Sequence, residues 1–290
     1  MVDSEPVFRY LLNILDDRTE HLTLPARVKH SHEQLLSLAR KLKIAPWIAC
    51  MAIEQWGASF SPEELDVLSA EFERNKKRSA ALLLQVRNIA ELMDKHSIPI
   101  IFLKGAAVLI RGFFPFGCRF MADIDLLVHT GDAAECDSVL RSAGYSEIRE
   151  SIRQVHHAPL LEHPDGAAAV EIHTEPYPML PGAWTWSQSM WENAYTVNLW
   201  GVPALVPSDT DHAWILMRSD PLNRPYLPRL NSLIELAYLI DSGGILSYEI
   251  LHDRAACDMM PGIFTGMQYA CSRYFGISCD QSPDTPELRK

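Results

Sequence analysis

The segment Asp123-Ile124-Asp125-Leu126-Leu127-Val128 constrains this chain more than any other. Its β-branched and apolar residues predict a buried strand, on which alternate side chains share a face. Asp123 and Asp125 then point one way, while Ile124, Leu126 and Val128 point into a core. Two carboxylates about 6–7 Å apart along a strand repel each other and are costly to desolvate. A divalent cation between them removes both difficulties, and hard oxygen donors of this kind suit Mg²⁺.

Asp-x-Asp alone is a weak signal, and the chain carries its own control. Asp209-Thr210-Asp211 follows Ser208 and opens a helical pattern. Ser208 there predicts a cap with Asp211 at the third helical position, where the helix dipole favours acids, so that copy needs no metal. Capping cannot explain the copy at 123, and the plainer alternative is a surface pair on an edge strand. Ala169-Val170-Glu171-Ile172-His173 predicts a further strand, with Glu171 and His173 on one face. Three carboxylates from two neighbouring strands could hold two cations ~3.5–4 Å apart, the arrangement of in-line phosphoryl displacement. A lone surface glutamate is the plainer alternative for Glu171.

Leu103-Lys104-Gly105-Ala106-Ala107 falls where a strand ends and a helix begins. Backbone N–H groups at such a point bind anions, and glycine permits close approach. Lys104 could neutralise a phosphate, and Arg119 could clamp one bidentately. A turn glycine with a solvated lysine, and a loop arginine, are the competing explanations.

Along the chain, residues 1–97 read as helical. Phe8, Leu11, Leu12 and Leu15 have helical spacing, and Ser31 with Gln34 and Ser61 with Glu64 form capping boxes. Pro62 begins a long helix to about Lys95, striped by Leu82, Val86, Ile89 and Met93. From 98 to 206 the pattern becomes an α/β core. Its strands are Ile100–Leu103, Ile124–Val128, Val155–Leu161 and Ala168–His173, the last two joined in a hairpin at Pro164-Asp165-Gly166. Pro159 demotes the third of these to an edge strand at best. Short helices lie at 106–110 and 132–143, and another short strand at Tyr195–Trp200. Helices resume at Asp209–Met217, Leu230–Ile240, Ile245–Ala256 and Pro261–Phe275 in a C-terminal helical region, 207–279, followed by a polar tail at 280–290. This order predicts an α+β fold, a small mixed sheet flanked by helices.

The net charge of −11 lacks the basic footprint that bulk nucleic-acid or anionic-membrane binding requires. Arg74, Lys76, Lys77 and Arg78 cluster on the long helix, either as a solvated face or beside a nucleotide cleft. No run approaches the ~20 apolar residues of a membrane helix. The acidic start MVDSEPVFRYLLNILDD has no signal-like apolar run, and the six cysteines lack metal spacing, which predicts a cytoplasmic protein with reduced thiols. Trp184, Trp186 and Trp191 read as core or interface residues, with an acceptor pocket as the alternative.

Lys104-Gly105, Arg119, Asp123-x-Asp125 and Glu171 occur in that order. Together they resemble the uncharacterised nucleotidyltransferase family of the polymerase-beta-like superfamily. The stretch IPIIFLKGAAVLIRGFFPFGCRFMADIDLLV looks like that family's signature, and VEIHTEP like its third-carboxylate strand. The resemblance covers most of the chain, with motif-specific similarity at about 98–175. It implies a Mg²⁺-dependent enzyme moving an NMP group from an NTP, expected to be ATP, to an acceptor hydroxyl with release of pyrophosphate. Carried over, the two-ion site falls on Asp123, Asp125 and Glu171, with Glu171 also helping to deprotonate the acceptor, and Lys104, Gly105 and Ala106 at the triphosphate. Relatives in the wider superfamily carry Gly-Ser or Gly-Gly where this chain has Gly105-Ala106, a shorter gap from Gly105 to Asp123, and often a histidine in place of Arg218. A small-molecule acceptor is favoured over protein or RNA. The alternatives are a catalytically silent nucleotidyltransferase-like binding or regulatory protein, or a transition-metal protein built on His156, His157, His163 and His173.

Overall fold

A computed structural model describes residues 32–54, 60–148, 160–176, 186–218, 230–258 and 260–275. Three helices come first: α1 (His32–Lys41), α2 (Ala45–Glu54) and α3 (Pro62–Lys95). The expected capping box opens α3. Ser61 N donates to Glu64 Oε2 at 2.7 Å and Glu64 N donates to Ser61 Oγ at 3.3 Å. The motif proposed at Ser31 and the early helix around Phe8 lie outside the described residues.

The sheet core follows as β1 (Ile100–Phe102), α4 (Lys104–Arg111), β2 (Asp123–Val128), α5 (Ala133–Ser142), β3 (Ser146–Glu147), β4 (Leu161–Glu162), β5 (Ala169–His173), α6 (Ser187–Asn193), β6 (Tyr195–Leu199) and β7 (Val202–Val206). Four helices complete the described residues: α7 (Asp209–Arg218), α8 (Leu230–Asp241), α9 (Tyr248–Cys257) and α10 (Pro261–Phe275). The seven strands form one mixed sheet in the order β3-β4-β5-β2-β1-β7-β6. The fold is therefore α+β, as the element order predicts. None of the described helices is long and apolar enough to cross a membrane.

β2 lies in the middle, antiparallel to β1 and parallel to β5. Ile124, Leu126 and Val128 pack with Val170 and Ile172 into a core closed by Leu82, Val86, Ile89 and Met93 of α3. The opposite face carries Ile101 and Leu127, covered by α2, α7 and α8 through Ile48, Trp214 and Ile234. Strand alternation therefore sends Asp123, Asp125, Glu171 and His173 to this second face.

Three details differ from the sequence expectation. β4 is an inner strand, because pairing starts at Leu161, past Pro159, and β3 covers its far side. β7 carries no strand expectation, since Pro203 interrupts it. It nevertheless sits between β1 and β6, pairing with β1 only at Ile101↔Leu205. The β6–β7 turn uses Trp200 at φ 49° and Gly201 at φ 89°, a primed hairpin turn without the usual Asn-Gly signal. Finally, α9 starts at Tyr248, because Ser247 caps it by accepting from Ile250 N at 3.3 Å.

Candidate active site

Register brings Asp125 and Glu171 together with His173, while Asp123, on the same face, is not part of that group. In the parallel pair β2–β5, Asp123 lies opposite Ala169, Asp125 opposite Glu171 and Leu127 opposite His173. Asp125, Glu171 and His173 each offer a ligand atom, all within 4.8 Å of one another. Asp125 is 2% exposed and His173 1%, whereas Glu171 is half-buried. His173 Nε2 lies 2.7 Å from Asp125 Oδ1 and 3.4 Å from Glu171 Oε2. The same Asp125 oxygen accepts from Lys104 Nζ at 2.5 Å.

The electrostatics follow from this crowding. Burial opposes charge on Lys104, but attraction from Asp125 first, then its hydrogen bond, Glu171 and Asp123, raise its pKa above the ordinary lysine value. Burial likewise disfavours the Asp125 carboxylate, yet Lys104 and His173 outweigh it and hold the group below the usual carboxylate range. Asp123 goes the other way. Burial and then repulsion from Asp125 raise its pKa, and Lys104 offsets them only in part. A raised Asp123 beside an ionised Asp125 is the pattern of two acids that share a site. His173 is raised by hydrogen bonds to Asp125 and Glu171, against a burial effect that is individually larger.

Lys104 is the first residue of α4 and has φ 45°, a left-handed conformation that costs a non-glycine residue about 1–3 kcal/mol. Ala107 N makes the first bond of the helix, to Leu103 O at 3.3 Å, so the N–H groups of residues 104–106 precede the ladder. Ala106 is buried in the α3-side core, so only its backbone faces the turn. Gly105 has a specific reason to be glycine. A Cβ there would lie 2.1 Å from Arg119 Nη1 and 2.7 Å from Met121 Cγ.

Arg119 is therefore laid against the start of α4, partly exposed itself but paired with a buried carboxylate. Its Nε donates to Glu235 Oε2 at 2.6 Å, and His212 Nε2 lies 2.7 Å from the other Glu235 oxygen. Glu235 is 1% exposed. Burial would raise its pKa, but Arg119 and then His212 outweigh that and lower it. The loop before β2 is anchored from α3, where Asn75 Nδ2 donates to Gly117 O at 2.7 Å and Arg119 O at 2.9 Å. Arg78 Nε donates to Met121 O at 3.2 Å, so one member of the basic cluster does border the site. Arg74 and Lys76 pair with Glu71 and Glu73 at 3.2 and 3.7 Å.

The control copy behaves as capping predicts. Asp211 N donates to Ser208 Oγ at 3.2 Å, and Asp209 pairs with Arg111. Arg218 is fully buried against Asp258 at 3.0 Å. Trp186 and Trp191 pack against the core, the latter stacked on His129 with ring centroids 3.9 Å apart. Trp184, His156 and His157 lie outside the described residues.

Sequence reasoning placed His173 on the correct face but gave it no role in the carboxylate group. Glu235 and His212 were not singled out. Their signal was available: Glu235 interrupts Leu233-Ile234-Glu235-Leu236-Ala237, an acid inside an apolar helical run that has to be paired.

A profile of the uncharacterised nucleotidyltransferase family matches residues 29–242. The chain belongs to that family. This membership makes the carboxylate-bearing sheet that of a nucleotidyltransferase. Solved structures similar to this nucleotidyltransferase include the antibiotic-resistance factor ANT(2″)-Ia in solution, at 14% identity over 66% of this chain and 95% of that one, with a TM-score of 0.44. ANT(2″)-Ia in complex with adenylyl-2″-tobramycin matches at 14% identity over 64% and 95%, with a TM-score of 0.38. An antigenic nucleotidyltransferase-like protein from Paracoccidioides brasiliensis matches at 16% over 68% and 97%, with a TM-score of 0.39. No curated protein matches the chain.

Proposed function

We propose that this nucleotidyltransferase transfers NMP from an NTP, with ATP as the expected donor, to the hydroxyl of a small-molecule acceptor. The observation that carries the reading is the register of Asp125 against Glu171, with Asp123 on the same face. The carboxylates are hard oxygen donors that fit Mg²⁺, and the His173 nitrogen within the same group is engaged with Asp125 at 2.7 Å. Asp123, Asp125 and Glu171 would hold the ion pair, which supplies charge neutralisation at the triphosphate and acidifies the acceptor hydroxyl.

The chain's own groups divide the remaining work. Glu171, half-buried where Asp125 is fully buried, accepts the acceptor's proton as the hydroxyl oxygen bonds to the α-phosphorus. The bond from the α-phosphorus to the bridging oxygen breaks, and pyrophosphate leaves with that electron pair. Lys104 offers its ammonium to the charge that develops on the phosphates, and Arg119, held by Glu235 through Nε, presents its Nη side at the N-terminus of α4.

The test is incubation with each α-labelled NTP, Mg²⁺ and cell extract, followed by identification of the labelled fraction. Asp123→Asn should lower transfer by at least about 10²-fold while the thermal melt stays within a few degrees. Wild-type transfer by that variant would refute the metal assignment. Nucleotide binding without product across many acceptors would indicate the silent binding protein instead.

A further inference from the structure

A cavity of about 330 Å³ opens beside α4, with Gly105, Leu109, Phe116 and Arg119 in its lining. We infer that this cavity is the acceptor subsite, and that it takes a single-ring or fused-ring alcohol that is uncharged or anionic. The inference rests on the nucleotidyl-transfer reading above and adds the substrate class to it.

Position is the first argument. Of the other lining residues, Val108, Phe113, Phe114 and Tyr238 belong to the core on the second face of the sheet, the face that carries the carboxylates. The cavity also includes Gly105 and Arg119, the residues at the start of α4, and the adjoining Lys104 reaches Asp125. Gly105, Val108, Leu109 and Gly112 recur at helical spacing, so one face of α4 forms a wall that begins at the site and leads away from it. At the Gly112 end nothing crowds this face, and at the Gly105 end Arg119 and Met121 fill the space that a Cβ would take.

Chemistry is the second argument. Three phenylalanines, Leu109 and Met121 make an apolar, largely aromatic enclosure suited to a flat ring. Arg119 is the only charged residue of the lining among the described residues, and Glu235 fixes its orientation. No carboxylate among the described residues lines the cavity, so a polycationic acceptor would lose its hydration there without meeting a counter-charge from them. The volume lies at the small end of ligand pockets, which run from about 300 Å³ to 1,000 Å³, and matches a molecule of one or two rings.

The probe is 6-hydroxynaphthalene-2-sulfonate, a fluorescent fused-ring alcohol with one anionic group, titrated into the full chain without nucleotide. Saturable binding is expected. It should weaken at least about tenfold in Leu109→Trp, which fills the cavity, and also in Phe116→Ala, which removes a half-exposed wall. Phe116→Ala carries the test if Leu109→Trp fails to fold. Binding unchanged in a folded variant would overturn the inference, as would displacement of the probe by Mg²⁺-ATP, which would give the cavity to the nucleotide. The readout needs no turnover. Probe binding without transfer therefore sinks the enzymatic reading and the acceptor assignment with it, leaving a ligand cavity, whereas transfer without probe binding sinks this inference alone.

Discussion

Gly105→Ala sets intrinsic helix preference against tertiary packing, and the structure decides the sign. Alanine is favoured over glycine in a helix by up to about 1 kcal/mol, so propensity alone predicts stabilisation. The added Cβ, however, would lie 2.1 Å from Arg119 Nη1, 3.0 Å from its Cζ and 2.7 Å from Met121 Cγ. Ordinary contact needs about 3.5 Å or more, so the guanidinium has to retreat by more than ~1 Å. Retreat pulls Nε from its 2.6 Å bond to Glu235, whose side chain is almost fully buried. Depriving a buried carboxylate of its partner costs about 3–5 kcal/mol, a figure reduced here because His212 still contacts Glu235 and Arg119 is partly solvated. After the helix gain is subtracted, a net loss of about 1–3 kcal/mol is expected. Urea unfolding of wild type, Gly105→Ala, Arg119→Ala and the double variant measures it. In the Arg119→Ala background the glycine substitution should cost less than about 1 kcal/mol, because only Met121 remains in the way. A stabilised Gly105→Ala, or an equal cost in both backgrounds, would refute the packing argument.

Two further outcomes follow from the ion pairs. Glu235 has a lowered pKa in the folded chain, so its contribution is complete above its ordinary value of 4.5 and is lost as pH falls through the lowered one. The stability gap between wild type and Glu235→Gln should thus be level at mildly acidic pH and narrow on further acidification; a gap that widens there would contradict the assignment. Asp209→Asn should cost about 1–3 kcal/mol by unpairing the buried Arg111, yet leave the Mg²⁺-dependent shift in melting temperature unchanged, in contrast to Asp123→Asn. Equal loss of that shift in both variants would mean the two Asp-x-Asp copies had been wrongly distinguished.

Much of the central architecture is legible locally. The alternation in residues 123–128 and 169–173 predicts both strands and the face their acids share, and the Ser61–Glu64 box predicts where the long helix begins. β7 escapes because Pro203 breaks the strand pattern, while the hairpin turn at Trp200-Gly201 lacks the residues that usually announce one. Arg119 shows a different limit. Its partner lies 116 residues away, and His212 lies 23 residues before that partner, so nothing near the arginine distinguishes a solvated loop cation from a buried one. The role of His173 depends on strand register, which alternation restricts but does not specify.

The long helix α3 makes polar contacts at two levels. Asn75 holds the backbone ahead of β2, and ten positions later Gln85 accepts from Ala167 N and Ala168 N at 2.8 and 3.0 Å and donates to Ala168 O at 2.9 Å, holding the backbone ahead of β5. Ten helical residues span about 15 Å. A single stiff rod thus serves as a ruler, gauging from one edge where each acid-bearing strand enters the sheet. Inserting or deleting one residue between its two marks would turn one by about 100° relative to the other and put the strands out of calibration, even with every acid still in place.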